Sequence, residues 1–189
     1  SINHGNMNLS TETEKPYRIG VSGNINFTTV NSVRMLIRAV KDNADYEVII
    51  HTPSDASTVR GSLHTWSNNL RVVSCSSQKD LIQSFRKCNI LFLALDDKSG
   101  EPSEWDARTQ FPIRTTEMLA SGVPILLLCP EKYFLYRFFC ENGCGDAVST
   151  TNEKQLRDRI VNLCTNQGTR RDITFNAHKT LQRFDGLVV

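Results

Sequence analysis

The sequence has no long apolar run and no excess of charge of one sign, and each absence excludes a class of protein. No stretch reaches the roughly 18 apolar residues that cross a bilayer. The first residues do not show the basic-then-apolar order of a signal peptide, so we see none in the residues present. A formal net charge of +2 is too small to indicate a nucleic-acid surface, so no nucleic-acid partner is expected. With 39% hydrophobic and 22% charged residues, the composition is that of an ordinary globular domain.

A dense cysteine pattern is also absent. The six cysteines stand singly in apolar or helical stretches, unlike those of a disulfide-rich secreted domain. Cys140 and Cys144 form a C-x3-C pair, but no second Cys or His pair follows at the spacing of a zinc site. We therefore expect buried free thiols, no metal, no cofactor and a cytoplasmic location.

The chain divides into a short polar segment and one domain. Residues 1–15 contain almost nothing to bury and are interpreted as a linker or a cloning remnant. From residue 16 to 189, short apolar runs alternate with amphipathic segments. Strands are predicted at 17–22, 46–51, 70–74, 90–95, 125–129 and 146–149. Helices are predicted at 28–40, 77–87, 112–122, 132–141, 152–164 and 169–184.

This alternation predicts right-handed βαβ crossovers, and therefore a Rossmann-like three-layer α/β/α fold with a parallel sheet of about six strands. Such sheets bind ligands beyond the carboxyl ends of their strands. The polar loop of residues 96–110 is long for a compact domain, so we expect it to be functional or mobile. Four further segments fall at strand ends and are candidate site segments: 23–26, 51–55, 75–77 and 130–132.

The first turn, Gly23-Asn24-Ile25-Asn26, lies between the first predicted strand and the first helix. A glycine lets the backbone approach a ligand, and the following helix N-terminus would offer free N–H groups to a phosphate. Gly23, Asn24 and Asn26 are therefore candidate binding residues. The turn is not a G-x-G-x-x-G fingerprint, and no acidic residue ends the second strand, which argues against NAD. The alternative is that Gly23 only makes the turn.

A more specific pattern occupies residues 111–124, which read Phe-Pro-Ile-Arg-Thr-Thr-Glu-Met-Leu-Ala-Ser-Gly-Val-Pro before an apolar strand. Taken alone, Glu117 has a structural interpretation as a solvated helix position. The order resembles F-P-x-K/R-x-x-E-x-x-A-x-G-x-P in the C-terminal domain of group 1 retaining glycosyltransferases of the GT-B fold. Residues 23–25 resemble that family's phosphate-side turn, residues 81–95 its partly buried helix and following strand, and residues 141–145 its E-N-G-x-G turn.

The resemblance implies a nucleotide-sugar site. In the family the glutamate, here Glu117, hydrogen-bonds the ribose hydroxyls of the donor, and the segment corresponding to Phe111, Pro112 and Ile113 lies near the diphosphate. Leaving-group charge would be stabilised by the helix dipole and by Arg114 without an essential metal, so Glu117 and Arg114 are the catalytic candidates. The backbone around Cys75 would help to frame the base.

Departures from the family pattern are informative as well. The family commonly has an acidic residue eight positions before the glutamate, where this chain has Thr109, so that contact is absent or is supplied by Glu104 or Asp106. The family also commonly has an Arg and a Lys near the first turn, where this chain has two asparagines. Arg114 could supply part of the missing charge, or its side chain could point to solvent.

The expected function is donor binding in a glycosyltransferase whose acceptor-binding N-terminal domain is not in this chain. The isolated chain would then bind donor weakly and transfer nothing, and any peripheral membrane contact would come from the missing half. The alternative is a non-catalytic module of the same fold that serves protein interaction, which the missing acid and basic residues favour. A third hypothesis is a different Rossmann-like nucleotide binder.

Two other features are given structural interpretations. His51 ends the second predicted strand and is interpreted as a surface residue, with contact to a base or phosphate as the alternative. The aromatic segment of residues 133–139 is interpreted as the buried side of a helix, part of which could face a partner domain.

Overall fold

The computed structural model describes residues 14–65, 67–75, 77–149 and 151–185, which form one parallel sheet covered by helices on both faces. The strands are β1 (Tyr17–Ser22), β2 (Tyr46–His51), β3 (Leu70–Val73), β4 (Ile90–Ala94), β5 (Ile125–Leu128) and β6 (Asp146–Val148). The helices are α1 (Val30–Val40), α2 (Ala56–Leu63), α3 (Gln78–Phe85), α4 (Glu104–Thr109), α5 (Arg114–Ser121), α6 (Phe134–Asn142), α7 (Glu153–Thr165) and α8 (Gln167–Asp185).

The strand order is β3-β2-β1-β4-β5-β6, and every pair is parallel. The chain moves outward in one direction from β1 to β3 and then returns to build the other half from β4. The order therefore reverses between β1 and β4, and ligands of doubly wound sheets bind in the crevice beyond such a switch point. The predicted three-layer fold with a six-stranded parallel sheet is confirmed.

The alternation of side chains along the central strands explains why both faces are covered. In β4, Ile90 and Phe92 pack into a core with α1, α2 and α7, while Leu91 and Leu93 pack into a second core with α3, α5 and α6. All five residues of β4 are buried, as a run of apolar side chains without polar alternation predicts.

Local end signals in the sequence mark most element boundaries. Ser77 accepts the Asp80 amide and caps α3, and Asn152 accepts two amides at the start of α7. Gly143 ends α6 in the left-handed conformation, as predicted. Of the proposed linker 1–15, residues 1–13 lie outside the described residues.

Two helices were not predicted. α2 follows β2, and Asp55 caps it by accepting the amides of Ser57 and Thr58. The helix buries only Val59 and Leu63, so its sequence lacks the apolar stripe by which helices are recognised. α4 lies inside the loop 96–110 and has six residues, of which Ala107 alone is buried.

Candidate functional site

A cleft of about 630 Å³ opens at the carboxyl ends of β1, β2 and β3, beside the start of α5. A smaller cavity of about 60 Å³ lies next to it, under the turn that follows β1 and against the end of β4. Arg114 lines both, as do Ser22, Gln110 and Pro112. The cleft gathers most of the predicted site residues, namely Gly23, Cys75, Phe111, Pro112, Ile113, Arg114 and Glu117. The small cavity takes Asn24 and Asn26.

Gly23 is required where it stands because its backbone and its surroundings both exclude a side chain. Its φ of +100° lies in the region that side chains disfavour, and a Cβ there would overlap the guanidinium of Arg114. Its amide donates to the carbonyl of His51 at 2.8 Å, which fixes the turn to the end of β2. The turn is therefore fixed to the end of β2, and the Cα of Gly23 faces the Arg114 side chain.

The Arg114 side chain points into the cleft rather than to solvent. Its Nη1 donates to the carbonyl of Ser22, 92 residues away in the sequence. Burial lowers the pKa of the Arg114 guanidinium, and the charge of Glu117 one turn later raises it. Because arginine stays protonated far above neutral pH, a positive charge stands at the end of β1. Of the two orientations that the sequence allowed for Arg114, the structure has the one directed into the cleft.

The start of α5 presents free backbone donors. Pro112 has no N–H, and the helical hydrogen bonds begin with Thr115, whose amide donates to the carbonyl of Pro112 at 2.8 Å. The amides of Ile113 and Arg114 precede that bond, and no described residue accepts from them. Unpaired amides and the helix dipole at a helix N-terminus favour an anion.

Glu117 supplies the one carboxylate among the described residues that line the cleft. It lies in the first turn of α5, and its side chain is half-buried. Within the described ranges no hydrogen bond or ion pair engages this carboxylate. Its oxygens are therefore available to accept hydrogen bonds from a ligand.

The N-terminus of α1 differs from the expectation because its amides are already occupied. Asp96, which follows β4 and is only 4% exposed, accepts the amides of Asn31 at 2.9 Å and Ser32 at 2.8 Å. The Ser32 hydroxyl donates to the same carboxylate at 2.6 Å. The expectation of free N–H groups at this helix was wrong, because a carboxylate 64 residues further along the chain fills the place of an anion.

The two asparagines of the first turn hold the loop together. Asn26 accepts the amide of Thr28 at 2.9 Å and its hydroxyl at 2.7 Å, which makes it a turn-forming residue. Asn24 accepts from the hydroxyls of Thr52 and Ser54 at 3.3 and 3.4 Å. Their side-chain carbonyls are thus used within the protein, and a role in ligand binding stays a prediction for both.

Neither candidate for the acid missing at Thr109 lies in the cleft. Glu104 accepts from Lys132 at 3.2 Å and from the amide of Gly100 at 2.9 Å, and it does not line the cleft. Asp106 is exposed on α4 and is not among the residues that line the cleft. The chain therefore does not replace that acid with a carboxylate of the described loop.

His51 is not a surface residue, contrary to the sequence interpretation. It is 1% exposed, with Nε2 at 2.8 Å from the Ser84 hydroxyl, Nδ1 at 3.3 Å from the Val21 carbonyl and its ring edge-on to Phe85. Burial lowers the pKa of His51. The end of β2 is interior because β1 and β3 flank it and α3 covers it. His51 therefore forms part of the floor of the cleft.

Phe111 anchors the start of α5. Its ring lies 5.1 Å from that of Phe138, 6.0 Å from that of Phe184 and 6.3 Å from that of Phe134. The aromatic segment of α6 is thus only partly the buried face that was expected, since Phe134 is 43% exposed. Packing of this kind fixes the position of the free α5 amides next to the cleft.

None of the six cysteines forms a disulfide, as expected, but not all are buried. Cys140 is exposed and Cys75 is half-buried at the edge of the cleft, where burial and then Asp80 raise its thiol pKa. Burial raises the pKa of Cys88, Cys129 and Cys164 to about 12. The described residues hold no cluster of three or more His, Cys, Asp or Glu side chains suited to a metal ion. In the same ranges no helix has the length and apolar character needed to cross a membrane.

Comparison with known proteins finds similarity in structure only. No protein family matches the sequence, and no curated protein is a detectable relative. The C-terminal domain of LpcC, a group 1 glycosyltransferase from Francisella tularensis, matches at a TM-score of 0.60 and 15% identity over 88% of this chain and 85% of that domain. The C-terminal CMP-Kdo binding domain of WaaA from Acinetobacter baumannii matches at 0.58 and 12% identity over 89% and 91%.

Longer glycosyltransferases match over the same part of this chain. HepE from Anabaena, solved in complex with UDP-glucose, matches at a TM-score of 0.63 and 11% identity over 88% of this chain. The chain spans 44% of HepE, and the same share of WaaG, a glycosyltransferase involved in lipopolysaccharide biosynthesis. At identities this low, structural similarity establishes the fold alone. The chain has the fold of the C-terminal domains of GT-B group 1 glycosyltransferases.

Proposed function

We propose that this chain is the donor-binding domain of a glycosyltransferase that uses a nucleotide-sugar. The observation that carries the proposal is the composition of one cleft wall, where the free Glu117 carboxylate, the Arg114 guanidinium and the unpaired α5 amides stand together. The Arg114 guanidinium lies against the Gly23 turn, which follows β1 at the switch point of the sheet. Similarity in fold to the domain of WaaA that binds CMP-Kdo and to HepE with UDP-glucose supports this class of ligand.

The donor phosphates would lie between the Gly23 turn and the start of α5. There the amides of Ile113 and Arg114 and the positive end of the helix dipole meet the negative charge. Arg114 already reaches across this space to the carbonyl of Ser22 at the end of β1, so its guanidinium would lie beside a phosphate bound there. Guanidinium pairs well with phosphate because it donates two parallel hydrogen bonds.

Glu117 would accept hydrogen bonds from the ribose hydroxyls. A carboxylate suits two vicinal hydroxyls because it has acceptors on both oxygens. The base would extend toward the α3 side of the cleft, where Leu81 offers an apolar surface and the backbone near Cys75 offers polar groups. The volume of about 630 Å³ is in the range of small-molecule sites.

Transfer requires stabilisation of the charge that develops on the leaving group. In the proposed arrangement this comes from the α5 dipole and Arg114, and no metal takes part. Retention at the anomeric carbon belongs to the same proposal, as does an acceptor-binding domain outside this chain. The isolated chain would then bind donor weakly and transfer no sugar.

A second candidate is a non-catalytic module of the same fold, and one specific observation favours it. The carboxylate of Asp96 fills the N-terminus of α1, so one of the two helix starts at this edge cannot receive a phosphate. The absence of an acid at Thr109 and of basic residues in the first turn points the same way. In this case the cleft would bind no nucleotide.

Isothermal titration calorimetry separates the two candidates. Wild type, Glu117→Ala and the control Glu141→Ala, an exposed glutamate on α6, are titrated with UDP, GDP, ADP and CMP and with their sugars. Binding of one nucleotide by wild type and by the control, with loss in Glu117→Ala, is the expected result. Binding that survives in Glu117→Ala contradicts the ribose role. Absence of binding in every variant at millimolar ligand favours the non-catalytic module.

A further inference from the structure

A second cavity, of about 340 Å³, lies outside the nucleotide cleft between α4 and α6, which pack against each other. It shares no lining residue with the cleft. Its walls combine two aromatic rings, three cations and one hydroxyl: Trp105, Arg108, Thr109, Lys132, Phe134 and Arg137. Its volume is near the lower end of the roughly 300–1,000 Å³ that small-molecule sites occupy.

The aromatic rings of this cavity are unusually exposed. Trp105 is 71% exposed and Phe134 is 43% exposed, although both lie beside well-buried parts of the core. Large apolar side chains left open to water around a concavity mark interaction sites. The face of an indole is a flat apolar surface, which matches the C–H face of a pyranose ring.

The cations of the cavity are only partly neutralised. Lys132 pairs with Asp97 at 3.4 Å and with Glu104 at 3.2 Å, so its charge is balanced. Arg108 lies 3.9 Å from the same Glu104, at the limit of an ion pair. Arg137 is exposed, and no carboxylate of the described residues lies within 4 Å of its guanidinium. Arg137 and much of Arg108 are therefore left for an external anion.

We propose that this cavity binds a saccharide that carries a phosphate or a carboxylate group. The sugar ring stacks on Trp105, while Arg137 and Arg108 hold the anionic group with paired hydrogen bonds. A small ligand fits better than a lipid surface for two reasons: the aromatic rings border a concavity, and its three cations are fewer than the roughly four to eight of a lipid-binding basic cluster. The proposal does not depend on the nucleotide cleft.

The indole N–H signals in a ¹H–¹⁵N NMR spectrum test it directly. The chain has two tryptophans, and the signal of Trp105 is assigned with the variants Trp66→Phe and Trp105→Phe. The probes are glucuronate, glucose 6-phosphate, methyl glucoside and inorganic phosphate, each without nucleotide. We expect at least one of the two charged sugars to shift the Trp105 signal saturably, with a Kd at least about tenfold below those of methyl glucoside and inorganic phosphate.

Variants decide whether the predicted groups are responsible. Arg137→Gln should raise the Kd about tenfold, and Trp105→Ala should abolish binding as measured by calorimetry. Arg171→Gln and Phe175→Ala, exposed positions on α8, are the matched controls and should leave the Kd unchanged. Unchanged melting temperatures establish that each variant is folded.

Three results would overturn the proposal. The first is no shift of the Trp105 signal with any charged sugar at 50-fold molar excess or more. The second is an equal Kd for wild type and Arg137→Gln. The third is binding to vesicles of anionic phospholipid without binding to either charged sugar, which would make the cavity part of a membrane-contacting surface. Loss of nucleotide binding in the cleft has no bearing on any of them, so the two proposals fail separately.

Discussion

Two helices, α1 and α5, begin at the same edge of the sheet and differ in what meets their first amides. At α1 the buried carboxylate of Asp96 accepts the amides of Asn31 and Ser32. At α5 the amides of Ile113 and Arg114 have no acceptor among the described residues. Both helices have the dipole that favours an anion, yet only one offers an open position. A helix N-terminus beside a cleft is therefore open to an anion only where no internal group already accepts its first amides.

The largest effect on stability is expected when the Asp96 carboxylate is removed from the N-terminus of α1. Asp96→Ala removes three hydrogen bonds and leaves the buried amide of Ser32 and the partly buried amide of Asn31 without an acceptor, so the free energy of unfolding should fall by about 3 kcal/mol. Urea denaturation followed by circular dichroism measures the loss. Asp158→Ala is the control, because Asp158 pairs with Lys154 on the surface and contributes about 0–1 kcal/mol.

The same variant sharpens the comparison of the two helices. With Asp96 removed, α1 resembles α5 in having free amides, so added phosphate should restore part of the stability that the variant lost. Wild type should gain less from phosphate, since α1 is already occupied. Equal gains in the two proteins would show that Asp96 does not stand in for an anion.

A smaller loss of stability is expected from a substitution at the Gly23 turn, which faces Arg114 at the start of α5. Gly23→Ala places a Cβ against the Arg114 guanidinium and at a φ of +100°, so we expect a loss of about 2 kcal/mol. In an Arg114→Ala background the clash is gone and about 1 kcal/mol should remain from the backbone. Gly100→Ala is the control, because Gly100 also has a positive φ, of +78°, but has open space around its Cα. Urea titrations of Gly23→Ala, Arg114→Ala, the double variant and the control give the coupling energy between Gly23 and Arg114. Additive losses of stability would contradict a contact between the two residues.

The N-terminus of α5 is tested by measuring its affinity for an anionic ligand. Arg114→Gln keeps the length of the side chain but removes its charge, so the Kd for the nucleotide that wild type binds should rise about tenfold, or about 1.4 kcal/mol. Arg86→Gln, an exposed arginine after α3, is the control and should leave the Kd unchanged. Calorimetry measures both. A Kd that does not change in Arg114→Gln would leave the α5 amides as the only phosphate donors in the proposal.

Sequence alone located the start of α5 beside the cleft but missed the contact that occupies the start of α1, and the reason is the range of the interactions. Glu117 and Arg114 fall within one short segment, so a local pattern could identify them. The contact that closes α1 joins residues 64 apart, and no local pattern shows that Asp96 turns back onto that helix. His51 was misjudged for the same reason, because its burial depends on α3 packing over the end of β2.

The fold was predictable where apolar side chains dominate a segment. β4 and β5 are buried at every position, and their unbroken apolar runs lie within the strands predicted at 90–95 and 125–129. α2 and α4 bury at most two residues each, so their sequences look like loops. The cavity between α4 and α6 was missed as well. Its one local signal was Trp105, a large aromatic residue in an otherwise polar segment.

The smallest expected effect is a pH dependence of the stability that is due to His51 at the floor of the cleft. Burial lowers the pKa of His51 below its ordinary value of about 6.5, so the unfolded chain binds the proton more readily than the folded chain. Stability should therefore fall as the pH decreases from about 6.5 toward the folded-state pKa, and it should be fully present above that window. His51→Gln should flatten the dependence of the free energy of unfolding between pH 7 and 5, whereas His178→Gln, an exposed residue on α8, should preserve it. An identical pH dependence in His51→Gln and wild type would mean that His51 is protonated at little cost. The floor of the cleft would then accept a positive charge as readily as its α5 wall.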